Sequence, residues 1–204
     1  MVGSFLLQKP ARDLITGVIL AGGRSSRMGG ADKGLVEFEG RCLIEHVLVR
    51  MQPQVGEIII SANRNLDRYR SYGHRVVEDD RATFGDFCGP LAGMLAGLRH
   101  SHLPWVVFAP CDAPALPMDL VARLSGATDA AHPTVAVCAG QRQVVFCLMP
   151  TAIEPELAST LAAGERRPRE FLRKLNAVEV AFEDPQAFVN INTSLNPQFK
   201  GTDE

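Results

Sequence analysis

Apolar residues along this chain fall into two rhythms. Short unbroken runs at 16–20, 57–62 and 105–109 have the length and composition of strands buried on both faces. Between them apolar positions recur three and four apart: Leu43, Ile44, Val47, Leu48 and Met51 form one face of a helix over 41–51. A charged helical segment at 65–72 leads to a strand at 74–78, and Gly89 opens a helix that runs to about 99. Further on, 118–124, 154–163 and 168–175 read as helices, and 134–139, 144–149, 178–182 and 188–191 as strands. Gly140-Gln-Arg-Gln143 joins two of these into an antiparallel hairpin. Strands alternating with helices predict the α/β class: one mostly parallel sheet with helices on both faces, plus a small antiparallel hairpin insertion. No internal repeat, low-complexity tract or linker interrupts the pattern, so 1–204 is expected to form one domain.

Polar residues collect where these strands end. Gly22 and Gly23 follow the first, Ser61 to Asn63 the second, Asp79 the third and Asp112 the fourth. In open α/β sheets ligands bind at the carboxyl ends of strands, so these scattered positions should converge on one cleft. Composition narrows what that cleft serves. Of 204 residues 46% are hydrophobic and 22% charged, the balance of an ordinary soluble enzyme. A net charge of −2 argues against non-specific nucleic-acid binding, which needs a basic face. The apolar Phe5-Leu6-Leu7 is too short for a signal-peptide core, and the runs at 105–109 and 144–149 are too short to span a bilayer. The five cysteines (42, 88, 111, 138 and 147) are odd in number and include no Cys-x-x-Cys, which fits reduced, mostly buried thiols in a cytoplasmic protein. His100 and His102 lie on different faces of a helix and make a poor metal pair.

The most specific segment is 20–33, Leu-Ala-Gly-Gly-Arg-Ser-Ser-Arg-Met-Gly-Gly-Ala-Asp-Lys, directly after the first strand. Its glycines let backbone N–H groups turn into one concavity, and Arg24, Arg27 and Lys33 add cations; a polyphosphate needs both. The two familiar phosphate loops are excluded. Lys33 is followed by Gly34 rather than Ser or Thr, and G-x-G-x-x-G is absent. Asp112, held between Pro110 and Pro114 just past a buried strand, is a rigid hard-oxygen ligand of the kind that suits Mg²⁺. Near the end, five cations fall within 166–174, and Asn190 and Asn192 would share one face of the strand expected at 188–191, with Ile191 opposite.

Taken in order, the loop at 20–33, Gly89-Pro-Leu-Ala-Gly-Met94, Pro110-Cys-Asp-Ala-Pro114 and Asn190-Ile-Asn-Thr193 resemble the molybdenum cofactor guanylyltransferases, the MobA family, over about 15–199. The resemblance implies a Rossmann-like, nucleotide-diphospho-sugar-transferase-like fold, with a nucleotide part at about 15–115 and an acceptor part at about 130–195. It implies transfer of GMP from GTP to the terminal phosphate of Mo-molybdopterin, with pyrophosphate released. Lys33, Arg27 and Asp112 would be catalytic, and Asp112 would hold Mg²⁺. Leu20, Ala21, Gly22, Gly23, Lys33, Ser61, Asp79 and Asp112 would bind the nucleotide. Arg167, Asn190 and Asn192 would bind the acceptor. Ser61 departs from the family, which often has asparagine there, and Val144 and Ser194 stand where prolines are usual. Partners implied are GTP, Mo-molybdopterin and proteins of molybdenum insertion and molybdoenzyme maturation, with neither nucleic acid nor membrane among them. Two rival readings are a cytidylyltransferase acting on the same pterin and a catalytically silent GTP-binding regulator. The Asp32-Lys33 pair weighs against the first, and the presence of both Lys33 and Asp112 against the second.

Overall fold

The computed structural model describes residues 9–22, 32–85, 89–129 and 132–191. Strand β1 (Ile15–Leu20) is buried along almost its whole length, because its alternating side chains meet helices on both sides of the sheet. A short hairpin of β2 (Glu37–Phe38) and β3 (Arg41–Cys42) follows, turning through Glu39 and Gly40 at φ of 50° and 77°. This corrects the expectation of a helix from 41: helix α1 (Leu43–Met51) starts two residues later. Cys42 caps it, and the Glu45 carboxylate accepts the Cys42 N–H at 2.7 Å, so the capping box fixes the boundary. Then come β4 (Glu57–Ser61), α2 (Leu66–Arg70), β5 (Arg75–Val77), α3 (Arg81–Phe84), α4 (Pro90–His100), β6 (Trp105–Pro110) and α5 (Leu120–Ala127). The chain continues as β7 (Thr134–Cys138), β8 (Gln141–Pro150), α6 (Glu154–Ala162), α7 (Pro168–Lys174) and β9 (Val178–Phe182).

Seven strands form one sheet in the order β5-β4-β1-β6-β8-β7-β9. Only β8 runs against its neighbours. The expected hairpin is therefore built into the main sheet, and its turn lies earlier than the sequence suggests. Ala139 and Gly140, at φ of 49° and 72°, make a two-residue turn, so Gln141–Gln143 extend β8 instead of linking it. A register shift between Val135 and Ala136 absorbs the difference in strand length. The segment 188–191 is not a strand. The Asp184 carboxylate accepts the Gln186 N–H and starts a 3₁₀ turn, Pro185–Phe188, after which the chain runs extended across the end of β6.

Each face of the sheet carries its own core. Ile15, Ile19 and Ile60 pack with α1 and α5 on one side; Val18, Ile59 and Phe108 pack with α4, α6 and α7 on the other. The chain winds outward from β1 to β4 and β5, then returns to the opposite side of β1 as β6. That reversal leaves a crevice at the carboxyl ends of β1 and β6, where neighbouring connections part in opposite directions.

Candidate functional site

A cavity of about 410 Å³ occupies this crevice. Leu20, Ala21 and Gly22 line it from the end of β1, Ser61 from β4, Asp79 from beyond β5 and Asp112 from beyond β6. Lys33 and Asn190 reach it from outside the sheet. The backbone ladder holds these ends in register. Ala21 N–H donates to the Ser61 carbonyl at 2.7 Å, and Cys111 N–H to the Leu20 carbonyl at 3.1 Å. Of the polar strand ends expected to converge, Gly22, Ser61, Asp79 and Asp112 do so.

On one side of the cavity Lys33 Nζ donates to Asp112 Oδ2 at 3.2 Å. Asp112 is 6% exposed, and its carbonyl accepts the Ile191 N–H at 2.9 Å, so the distal segment ties down the turn after β6. Lys33 is held through its neighbour. The buried Asp32 carboxylate accepts Tyr69 Oη–H at 2.6 Å and Asn65 Nδ2–H at 3.0 Å, and pairs with Arg64 Nε at 3.4 Å. Burial, with Cys111 and Asp32 adding to it, pushes the Tyr69 phenol far above its ordinary range, so it stays a donor to Asp32. Gly34 permits this packing, since a Cβ there would lie 2.6 Å from Tyr69 Oη and 3.2 Å from Cys111 Sγ. Burial also raises the Cys111 thiol well above its usual value, which leaves a neutral wall group rather than a nucleophile.

The other side is built around Asp79. Asn63 Nδ2–H donates to Asp79 Oδ2 at 2.8 Å, while Asn63 Oδ1 accepts the Asp79 N–H at 2.9 Å. Burial raises the Asp79 carboxyl above the ordinary carboxylate value, outweighing the Asn63 hydrogen bond and the Arg81 charge that favour ionisation. Asp79 Oδ1 and Ser61 Oγ are both buried and have no hydrogen-bond partner among the described residues. Two glycines keep the wall thin here. A Cβ at Gly22 would lie 2.8 Å from Asn63 Nδ2, and one at Gly93 only 2.7 Å from Ser61 Oγ.

Not every expected residue joins the cavity. Gly23, Arg27 and Asn192 lie outside the described residues. Arg167 is exposed and does not line the cavity; Glu165 pairs with it at two points, at 2.8 and 2.7 Å. Arg173 pairs with Glu170 and Lys174 with Glu156, so much of the basic run is matched by acids on the same helical layer. Arg166 does approach the rim, where its carbonyl would sit 3.6 Å from a Cβ at Gly89. Conversely, Asp32 and Asn63, which were assigned no binding or catalytic role, emerge as site-building residues. The Asp32-Lys33 adjacency was a visible signal for the first, and the position of Asn63 at the polar end of the second strand was one for the second, although its pairing with Asp79 was not. Among the described residues no group of three or more His, Cys, Asp or Glu could hold a metal by itself, and no helix is long and apolar enough to cross a membrane.

Comparison with known proteins bears on the family and the fold. A family model described as a MobA-like NTP transferase domain matches residues 17–180. The chain is 50% identical over 190 residues to a molybdenum cofactor guanylyltransferase of Cupriavidus necator, covering 90% of this chain and 94% of that one. It is 49% identical over 190 residues to the enzyme of the same name from Burkholderia vietnamiensis, covering 88% and 91%. Among solved structures, molybdopterin-guanine dinucleotide biosynthesis protein A from Archaeoglobus fulgidus superposes with a TM-score of 0.68 at 21% identity, covering 87% of this chain and 92% of that one.

Proposed function

The chain belongs to the MobA-like NTP transferases, and from that premise we propose that it transfers GMP from GTP to the terminal phosphate of Mo-molybdopterin, releasing pyrophosphate. The observation that carries this reading is the pairing of Lys33 with Asp112 on one wall of a cavity whose other wall offers Asp79 and Ser61. The first pair suits phosphates and the second suits a nucleobase with N–H donors.

The acceptor phosphate is already an anion, so the reaction needs no strong general base. Catalysis then reduces to in-line positioning and neutralisation of charge building on the departing pyrophosphate. Lys33 contributes a cation anchored through Asp32, and the Leu20–Gly22 backbone contributes close approach to the nucleotide. Arg27 adds a second cation in this reading, and Asn190, at the cavity edge, serves the pterin together with Asn192 and the segment around Arg167.

The donor set fits Mg²⁺. Asp112 is one rigid, nearly buried carboxylate facing the cavity, and Mg²⁺ takes few protein carboxylates, filling its shell with water and substrate phosphates. When bound, the ion supplies Lewis-acid neutralisation of phosphate oxygens.

The direct test is pyrophosphate release by purified protein given Mg²⁺, GTP and molybdenum-loaded molybdopterin. We expect turnover with GTP and at least about 10²-fold less with CTP, since a site built on hydrogen bonds discriminates strongly against a base with the wrong pattern. Equal turnover with CTP would favour the cytidylyl reading, and GTP binding without pyrophosphate release a silent regulator.

A further inference from the structure

We propose that Asn63 is the positioning residue for Asp79: it fixes which carboxylate oxygen is offered to the nucleobase, and so sets base selectivity from behind the cavity wall. Asn63 is not among the residues lining the cavity. Its own orientation is determined by chemistry. A backbone N–H can be accepted only by the amide oxygen, so with Oδ1 on the Asp79 N–H the Nδ2 group must face Asp79 Oδ2. A flipped amide would set NH₂ against N–H and oxygen against carboxylate, two repulsions in place of two bonds. The rest of the surroundings hold the amide in place. Arg81 Nη2–H donates to the Asn63 carbonyl at 2.8 Å, and Gly22 packs so closely against Nδ2 that no side chain fits between them.

The result is a carboxylate with one oxygen committed and the other, Oδ1, buried with no donor among the described residues. A buried acceptor without a partner is costly, so it favours a ligand that supplies an N–H at that point and disfavours one that presents a lone pair there. The preference is for a base whose pairing-edge ring nitrogen carries an N–H, as guanine N1 does; adenine N1 and cytosine N3 present a lone pair there. It rests on the guanylyl reading, and it adds that discrimination depends on a residue the nucleotide does not touch.

Two variants separate orientation from simple structural support. Asn63→Asp is nearly isosteric and keeps the acceptor for the Asp79 N–H while removing the donor to Oδ2. Asn63→Ala removes both bonds. The measurements are dissociation constants for GTP, ATP and CTP by calorimetry, with the melting temperature of each variant. For both variants we expect GTP to bind about 10–100-fold more weakly, the range for a lost hydrogen bond to a charged group. ATP and CTP should move far less, so the preference for GTP shrinks. A pH series adds a readout that a structural role would not move. Ionised Asp79 accepts the base N–H, so GTP affinity should fall as pH drops through the Asp79 ionisation. The charged neighbours are Arg81, which favours the carboxylate, and Glu78, which opposes it. Asn63→Ala removes a hydrogen bond that also favours the carboxylate, so its inflection should lie at higher pH than in the wild type. Equal weakening of all three nucleotides with a lower melting temperature would overturn the proposal, and so would an unchanged GTP preference in both variants. If the wild type itself binds the three nucleotides alike, the guanylyl reading falls as well. If the wild type prefers GTP and Asp79→Ala loses that preference while the Asn63 variants keep it, only the role of Asn63 falls.

Discussion

Lys33 and Asp112 share one hydrogen bond, yet their substitution should have different consequences. Lys33 is a cation beside the expected phosphates and acts on ground state and transition state alike. Lys33→Ala should therefore weaken GTP binding and slow turnover together. Asp112 acts in this reading through a metal, so Asp112→Ala should lose about 10²–10³ in rate, as removal of one preorganised electrostatic contact does elsewhere. GTP should still bind to it through the loop backbone. A Mg²⁺ titration of turnover, with nucleotide affinity measured in parallel, distinguishes the two. Asp112→Ala should need far more metal or never recover, whereas Lys33→Ala should keep a near-normal metal dependence. Full activity of Asp112→Ala at low Mg²⁺ would reduce that carboxylate to a local cap.

Helix α4 shows how an element can be set by closeness rather than propensity. It carries Gly93 and Gly97 on the face against the sheet, and both are there because the sheet leaves no room. A Cβ at Gly97 would lie 2.8 Å from both methyl groups of Val18 and 3.3 Å from Phe108. In an open helix, Gly→Ala gains up to about 1 kcal/mol. Here overpacking costs about 1–3 kcal/mol, and Val18 is β-branched, stiff and fully buried, so it cannot turn aside. Gly97→Ala should therefore be net destabilising by about 1–2 kcal/mol, measured by urea denaturation; a stabilised variant would show that α4 can move off the sheet. The same helix carries Gly93 against Ser61, so its seating also shapes the site.

The molecule as a whole closes on itself at Asp112. The chain that left β6 returns some 80 residues later, after β9, and Ile191 N–H bonds the Asp112 carbonyl. Phe188 anchors that return, with its ring edge-on to Phe146 at 4.9 Å and to Phe182 at 5.3 Å. Phe188→Ala should cost about 3–5 kcal/mol, the usual range for a buried Phe. It should also lower turnover more than GTP affinity, because the loosened strap bears on Asp112 rather than on the base side. Denaturation paired with nucleotide binding and turnover checks this. A destabilised variant with unchanged turnover would show that the strap matters for folding alone.

The parts of this protein that were legible in the chain are those set by neighbours in sequence. Apolar runs marked β1, β4 and β6, three-and-four spacing marked α1, and polar residues at strand ends marked the cleft, because each signal spans only a few residues. Errors arose where local chemistry was subtler than the hydrophobic pattern: the capping box that delays α1 to Leu43, the Ala139-Gly140 turn, and the Asp184 turn that replaces a strand near 188. The charged run at 166–174 suggested an anion site, and what the chain did not show is that Glu165 before α7, Glu170 on α7 and Glu156 on α6 engage Arg167, Arg173 and Lys174. Beyond reach of the chain alone were the pairings that build the site: Asp32 with Tyr69, Asn63 with Asp79, and Lys33 with Asp112. These partners lie on different βα units, and a hydrogen bond needs atoms within about 3 Å. Only strand order, register and the seating of helices on the sheet bring them to that distance.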